Sequence, residues 1–175
     1  MTSDTPFIDT ARRVVRAEAD ALNTLADAID DSFRAAIDMQ LAAKGRVIVS
    51  GIGKSGHIAH KIAATLASTG TPAQFVHPAE ANHGDLGMVT SDDVLLAISN
   101  SGEAPELANL VAFSRRVGSP LVGITKAPDS SLGKHCDVIL QLPDLGEACG
   151  TGVVPTNSTT MTLAMGDALA VALME

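Results

Sequence analysis

No tryptophan and no tyrosine occur in these 175 residues, and phenylalanine occurs only four times. The core must therefore be assembled from Ala, Val, Leu and Ile, whose small side chains let helices pack closely and leave Ala-rich helix faces that subunits can share. A homo-oligomer is expected. Cysteine is scarce as well: Cys136 and Cys149 form no CxxC pair, which excludes a disulfide framework and leaves two reduced thiols. Basic residues are outnumbered, 12 Lys and Arg against 20 Asp and Glu for a net charge of -8, so no basic stripe exists to follow a nucleic acid. Any anionic ligand has to be caught locally. No apolar run reaches the roughly 18 residues that span a bilayer. The start Met1-Thr2-Ser3-Asp4-Thr5-Pro6 has neither the basic beginning nor the apolar core of a signal peptide. No membrane partner and a cytoplasmic location follow as expectations.

What is present is a repeating pattern of apolar runs and helical stretches, with no linker to divide it. From Asp9 to Lys44 the apolar positions Leu22, Leu25, Ile29, Phe33, Ile37 and Leu41 recur at spacings of three and four, which predicts an amphipathic helical lead-in over 1–44. Asp30-Asp31-Ser32 is a candidate cap for a second helix within it. The core then runs over 45–175, with strands predicted at 46–50, near 74–76, and at 94–98, 120–125 and 137–142. Helices between them make this an α/β fold with a five-stranded parallel sheet in three layers, α/β/α.

The central run Val94-Leu95-Leu96-Ala97-Ile98 leads into Ser99-Asn100-Ser101-Gly102-Glu103-Ala104-Pro105-Glu106 and a helix predicted over 103–117. A buried parallel strand ending in small hydroxylated residues makes a tight turn into a helix start, and that geometry suits phosphate. Gly102 is expected to let the anion approach the backbone, with Ser99 and Ser101 as hydroxyl donors. Glu103 and Glu106 fall in the predicted first turn, where a carboxylate caps as readily as it catalyses.

After the first strand comes Gly51-Ile52-Gly53-Lys54-Ser55-Gly56-His57. Two nucleotide motifs fail here: a P-loop needs Gly at position 48, which is Ile48, and the dinucleotide fingerprint lacks its acidic residue, since the second strand runs into His77-Pro78. What remains is a Gly-rich turn with one cation, Lys54. His57 and His60 share a helix face, but no third metal ligand is spaced near them. The connection over 77–93 carries Glu80, His83 and Asp85, a set with acid-base or metal potential on a solvated loop. Glu147 follows the last strand, and Pro155-Thr156-Asn157-Ser158-Thr159-Thr160 is a hydroxyl-rich cap on a last helix to Glu175.

Gly-Ile-Gly-Lys-Ser-Gly-His at 51–57, Ala-Ser-Thr-Gly-Thr-Pro at 67–72, His-Gly-Asp-Leu-Gly-Met-Val at 83–89, Ser-Asn-Ser-Gly-Glu at 99–103 and Pro-Thr-Asn-Ser-Thr-Thr at 155–160 together resemble the sugar isomerase (SIS) domain of arabinose 5-phosphate isomerases. The likeness runs from about Val14 to Met174. It implies a flavodoxin-like SIS fold and interconversion of D-arabinose 5-phosphate with D-ribulose 5-phosphate through an enediol, on the route to the Kdo of lipopolysaccharide. It implies a phosphorylated sugar as partner and a homotetramer with sites between subunits. The chemistry calls for no cofactor. As catalytic groups the resemblance points to Lys54, Glu106, Glu147 and His83, with Glu147 or Glu106 as base and Lys54 as the electrostatic or ring-opening group. As substrate-binding residues it points to Gly53, Ser55, Ser99, Asn100, Ser101, Gly102, Glu103, Thr156, Ser158 and Thr159. No metal is required, although His83 resembles a ligand of inhibitory divalent metal.

Longer members continue into a His-containing segment and two CBS modules, whereas this chain stops at Met174-Glu175. It is expected to be either a short natural form, with His83 supplying the missing group, or a piece of a larger protein. Two other readings share the serine turn: an isomerase of sedoheptulose 7-phosphate or a hexulose 6-phosphate, and a non-catalytic sugar-phosphate sensor. A sensor has no need of Lys54, Glu106 and Glu147 together, so their joint presence favours the enzyme.

Overall fold

A computed structural model describes residues 6–175; the first five residues of the expected lead-in lie outside the described residues. Five strands form one parallel sheet: β1 (Val47–Gly51), β2 (Ala73–Phe75), β3 (Val94–Ile98), β4 (Leu121–Thr125) and β5 (Val138–Gln141). Their spatial order is β2-β1-β3-β4-β5. The chain leaves β1 toward one edge and returns to β3 on its other side, so the crevice at their carboxyl ends is the topological switch point where open α/β sheets bind ligands.

Every residue of β1, β3 and β4 is buried, as expected when helices cover both faces: β3 is wholly apolar, and the ends of β1 and β4 bury Ser50 and Thr125 as well. Side chains alternate between two cores. On one face Val49, Leu96, Ile98 and Ile124 meet helix α3 (Gly53–Ser68) through Ile62 and Leu66. Helix α6 (Asn157–Ala172) joins that face through Met161, Met165 and Leu169. On the other, Ile48, Leu95 and Leu121 meet Leu110 and Val111 of helix α5 (Ala108–Val117). The three-layer α/β/α architecture is thus the one expected.

The lead-in divides where its composition suggested, into α1 (Pro6–Ala28) and α2 (Asp31–Leu41). Asp30 is extended and its carboxylate accepts the Ser32 amide at 2.9 Å, capping α2. Helix α1 packs on α6, yet Ala21 and Leu25 are its only buried side chains among the described residues, and Phe7 near its start is 83% exposed. The connection from β2 to β3 holds the short helix α4 (Pro78–Ala81) and a 3-10 turn at Asp85–Met88.

The helix predicted over 103–117 starts later. Ala104 is extended, as the residue before proline prefers to be, then Pro105–Leu107 forms a 3-10 turn and α5 begins at Ala108. Glu103 therefore precedes the helix, and Glu106 lies in the 3-10 turn. The last helix likewise ends at Ala172 rather than Glu175.

The glycines at the end of β1 serve packing. A β-carbon on Gly56 would lie 2.8 Å from the Gly51 carbonyl oxygen, and one on Gly51 would lie 3.1 Å from the Ser55 backbone. Their spacing imitates a nucleotide fingerprint because helix α3 is seated directly against its own strand.

Candidate active site

At the switch point lies a cleft of about 210 Å³ lined by Ile52, Lys54, Ser55, Asn100, Pro155, Ser158, Thr159 and Thr162. Larger cavities exist, of about 510 Å³ along α1 beside Arg12, Arg13 and Arg16, about 460 Å³ beside Arg115, about 400 Å³ between the α1–α2 corner and β5 and about 390 Å³ behind the Ser99 turn, but none is lined by residues that follow both β1 and β3. Two helix starts converge on the smaller cleft. That of α3 has Ile52 at its cap position with no side-chain cap, so its first amides stay directed outward, and Lys54 and Ser55 lie in its first turn. The other is the start of α6.

The wall between them is the turn after β3. Its shape is held from within: the Ser99 hydroxyl oxygen accepts the Gly102 amide at 3.1 Å and that of Ser101 accepts the Glu103 amide at 3.2 Å. The carbonyl of Asn100 accepts both the Lys126 amide and the Thr125 hydroxyl at 3.2 Å. Ser99 is buried and Ser101 exposed, and of this turn only Asn100 lines the cleft, so the two serines expected to bind substrate shape its wall from behind. Gly102 has φ +69°, and a β-carbon there would lie 1.8 Å from Ser130 Oγ. Its amide already bonds Ser99, so glycine is needed for the turn and its packing rather than for the approach of an anion. The Glu103 carboxylate turns behind the cradle and accepts the Ser131 amide at 2.9 Å and its hydroxyl at 2.5 Å, bonds that hold it below its ordinary pKa. It braces the turn and lines the rear cavity, not the cleft.

Glu147 is anchored at the start of α6. Its Oε2 accepts the Thr156 amide at 2.7 Å, the Thr156 hydroxyl at 3.1 Å and the Ser158 amide at 3.3 Å, while Oε1 accepts the Ser158 hydroxyl. Half-burial pushes its pKa up, but the bonds from Ser158 and Thr156 outweigh that and bring it below the ordinary glutamate value. Neighbouring bonds stitch the same segment down: the Ala148 amide to Thr156 Oγ1 at 2.8 Å, Asn157 Nδ2 to the Gly146 carbonyl at 3.2 Å, and Arg13 of α1 to the Ala148 carbonyl at 2.7 Å.

Of the expected catalytic groups, then, Lys54 lines the cleft and Glu147 adjoins it through Ser158. Glu106 and His83 do not line it. Glu106 is half-buried in its 3-10 turn, which packs against α4, and His83 is exposed just beyond α4. His57 is exposed and His60 stacks on Phe75 with ring centroids 4.2 Å apart. Among the described residues no group of three His, Cys, Asp or Glu side chains is placed to hold a metal ion. Sequence reasoning passed over Arg13, Pro155 and Thr162. Thr162 could have been found, since it sits four residues after Ser158 on the same helix face. Cys149 was also given no role. Hydrogen bonds from Thr151 and Val154 bring its thiol down to about 7.

The match to known proteins fits this geometry. The SIS domain model matches residues 40–172. The chain belongs to the SIS domain family. This SIS domain is 51% identical over its whole length to arabinose 5-phosphate isomerase KdsD of Pseudomonas aeruginosa, covering 54% of that protein. It is 50% identical over 97% of its length to the Escherichia coli K12 protein of the same name, covering 52% of it. The SIS domain thus spans about half the length of the curated relatives it matches. Among solved structures, E. coli CFT073 c3406 in complex with arabinose 5-phosphate superposes with a TM-score of 0.94 at 40% identity, over 99% of this chain and 92% of that one. No described helix is long and apolar enough to cross a membrane.

Proposed function

We propose that this SIS domain is an aldose-ketose isomerase interconverting D-arabinose 5-phosphate and D-ribulose 5-phosphate. The observation that carries the reading is one cleft at the β1/β3 switch point in which Lys54 and Ser55 of α3 face the start of α6, with Glu147 bonded to Ser158 on its border. The names of the relatives at about 50% identity and the sugar-phosphate complex of the E. coli CFT073 protein support it. In the open-chain aldose, Glu147 takes the proton from C2. The C–H electrons form the C1–C2 double bond, and the carbonyl oxygen of C1 takes a proton to give the enediol. Return of a proton to C1, with loss of the hydroxyl proton at C2, leaves the ketose. Lys54 stabilises the negative charge that develops on the oxygens. The product route we assign is supply of the Kdo precursor in the cytoplasm.

We further assign a homotetramer with sites between subunits. The exposed apolar side chains of α1, Phe7 at 83% and Val15 at 67%, support it, as does the position of Glu106 and His83 off the cleft of a single chain. Light scattering tests the assembly. The activity is tested by incubating the protein with D-arabinose 5-phosphate in deuterated water and following product and deuterium at the exchanging carbon by NMR. Turnover with exchange is expected; tight binding with neither would reduce the domain to a sugar-phosphate binder.

A further inference from the structure

We infer that Thr156 and Ser158 are positioning residues for the Glu147 carboxylate and do not hold the substrate's phosphate. The inference rests on Glu147 acting as base, as proposed above. It comes from counting protons along the α6 wall. A hydroxyl has one proton to donate. That of Thr156 goes to Glu147 Oε2 at 3.1 Å, while its oxygen accepts the Ala148 amide at 2.8 Å, so no proton is left for an anion. That of Ser158 goes to Glu147 Oε1. Further along the helix, Thr159 donates to the Thr156 carbonyl at 2.9 Å and Thr162 to the Ser158 carbonyl at 2.7 Å. Every one of these hydroxyl protons is spent inside the chain. The amides of Thr156 and Ser158 also point at Glu147. The anion seat at the start of α6 already holds an anion, and it is the carboxylate.

The cleft is therefore two-sided. The α6 wall holds the base, and a phosphate is left to the opposite wall, where Ser55 lines the cleft and the uncapped first amides of α3 are free to donate. The two carboxylate oxygens of Glu147 are also unequal. Oε2 accepts three donors and Oε1 one. Oε1 keeps lone-pair capacity and is the oxygen that takes the substrate's proton.

The charged groups on the surrounding elements do not change this assignment. Arg13 of α1 bonds the Ala148 carbonyl, Lys54 of α3 lies across the cleft, and Lys126 pairs with Asp144 at 3.0 Å on the segment leading to Glu147. None forms an ion pair with Glu147 among the described residues, so its ionised form depends on uncharged donors.

The test uses Ser158→Ala and Thr156→Val in the full chain, each read in two ways. The carbon-13 shift of the Glu147 carboxyl is titrated by NMR, and binding of inorganic phosphate is followed by phosphorus-31 line broadening. Losing a donor to the charged form should raise the Glu147 midpoint by about one pH unit, while phosphate affinity stays within about twofold. The acid limb of kcat/KM should move up with the midpoint, and Ser158→Thr should restore it. An unmoved midpoint in both variants, or phosphate affinity weakened about tenfold, overturns the inference. Because the NMR arms need no turnover, they report on the positioning role even if the deuterium experiment fails.

Discussion

Gly102 and Ser130 lie so close that a β-carbon on the glycine would sit 1.8 Å from the serine oxygen, with Thr125 Oγ1 at 3.2 Å beyond it. Ser130 Oγ cannot simply withdraw, because it donates to the Ala127 carbonyl at 2.6 Å and accepts the Gly133 amide at 3.2 Å. Gly102→Ala combines this overlap with a positive φ. We expect a loss of about 2–4 kcal/mol of stability and loss of sugar-phosphate binding. Chemical denaturation and calorimetric titration measure the two; an alanine variant of unchanged stability would show that the turn is not tensioned against the Ser130 loop.

Lys54 is exposed and forms no ion pair among the described residues, so Lys54→Ala should leave the fold intact. If the ammonium grips phosphate, KM rises with kcat nearly unchanged; if it stabilises the enediol, kcat falls. Our reading places it at the enediol and predicts a kcat loss of about a hundredfold.

Glu147→Gln removes the base while its amide can still accept bonds from Thr156 and Ser158. A fall in kcat of about a hundredfold or more is expected, together with a loss of about 1 kcal/mol of stability at neutral pH, because the neutral amide is a weaker acceptor than the carboxylate. Glu106 forms no side-chain hydrogen bond among the described residues, so Glu106→Gln is structurally neutral. An equal kcat loss there would place Glu106 in the site despite its position off the cleft of one chain. Full activity would leave it as a charge beside α5.

Acid should unfold the protein through two particular carboxylates. Asp93 is only 2% exposed, which pushes its pKa up, but the Arg46 amide at 2.7 Å, the Thr90 amide at 2.8 Å, the Thr90 hydroxyl and the Arg46 guanidinium more than reverse this. Glu147 is lowered in the same sense. A carboxyl whose folded pKa is depressed adds stability that is complete above its ordinary value, 3.8 for Asp93 and 4.5 for Glu147, and is lost as pH falls through the folded value. Stability measured by urea denaturation should therefore drop steeply below about pH 4.5. In Asp93→Asn it should be lower by about 2 kcal/mol at neutral pH and fall less steeply in acid.

Helices α3 and α6 touch where a β-carbon on Gly166 would lie 2.3 Å from Ile62 Cγ1. Gly166→Ala should cost about 1–3 kcal/mol by overpacking. Pairing it with Ile62→Ala should recover part of the loss, giving a favourable coupling in a double-mutant cycle. Strict additivity would mean that the two helices can move apart.

The sequence by itself determined the layers and the end of the sheet at which the candidate cleft lies. Unbroken apolar runs such as 94–98 fit only strands buried on both faces, and a helix after each strand makes the sheet parallel. Local chemistry also located the α1–α2 break at Asp30, because a cap acts within a few residues of itself. Only the tertiary structure decided where the polar side chains of the site point. Glu103 and Glu147 look alike in sequence, each beside a hydroxyl-rich turn, yet one reaches Ser131 behind the cradle and the other reaches Thr156 and Ser158 at its border. Gly102 looked like room for an anion and is filled by Ser130. A hydroxyl proton or a carboxylate is assigned by its partner, and these partners lie 9 to 28 residues away along the chain, at distances that periodicity and propensity do not reach.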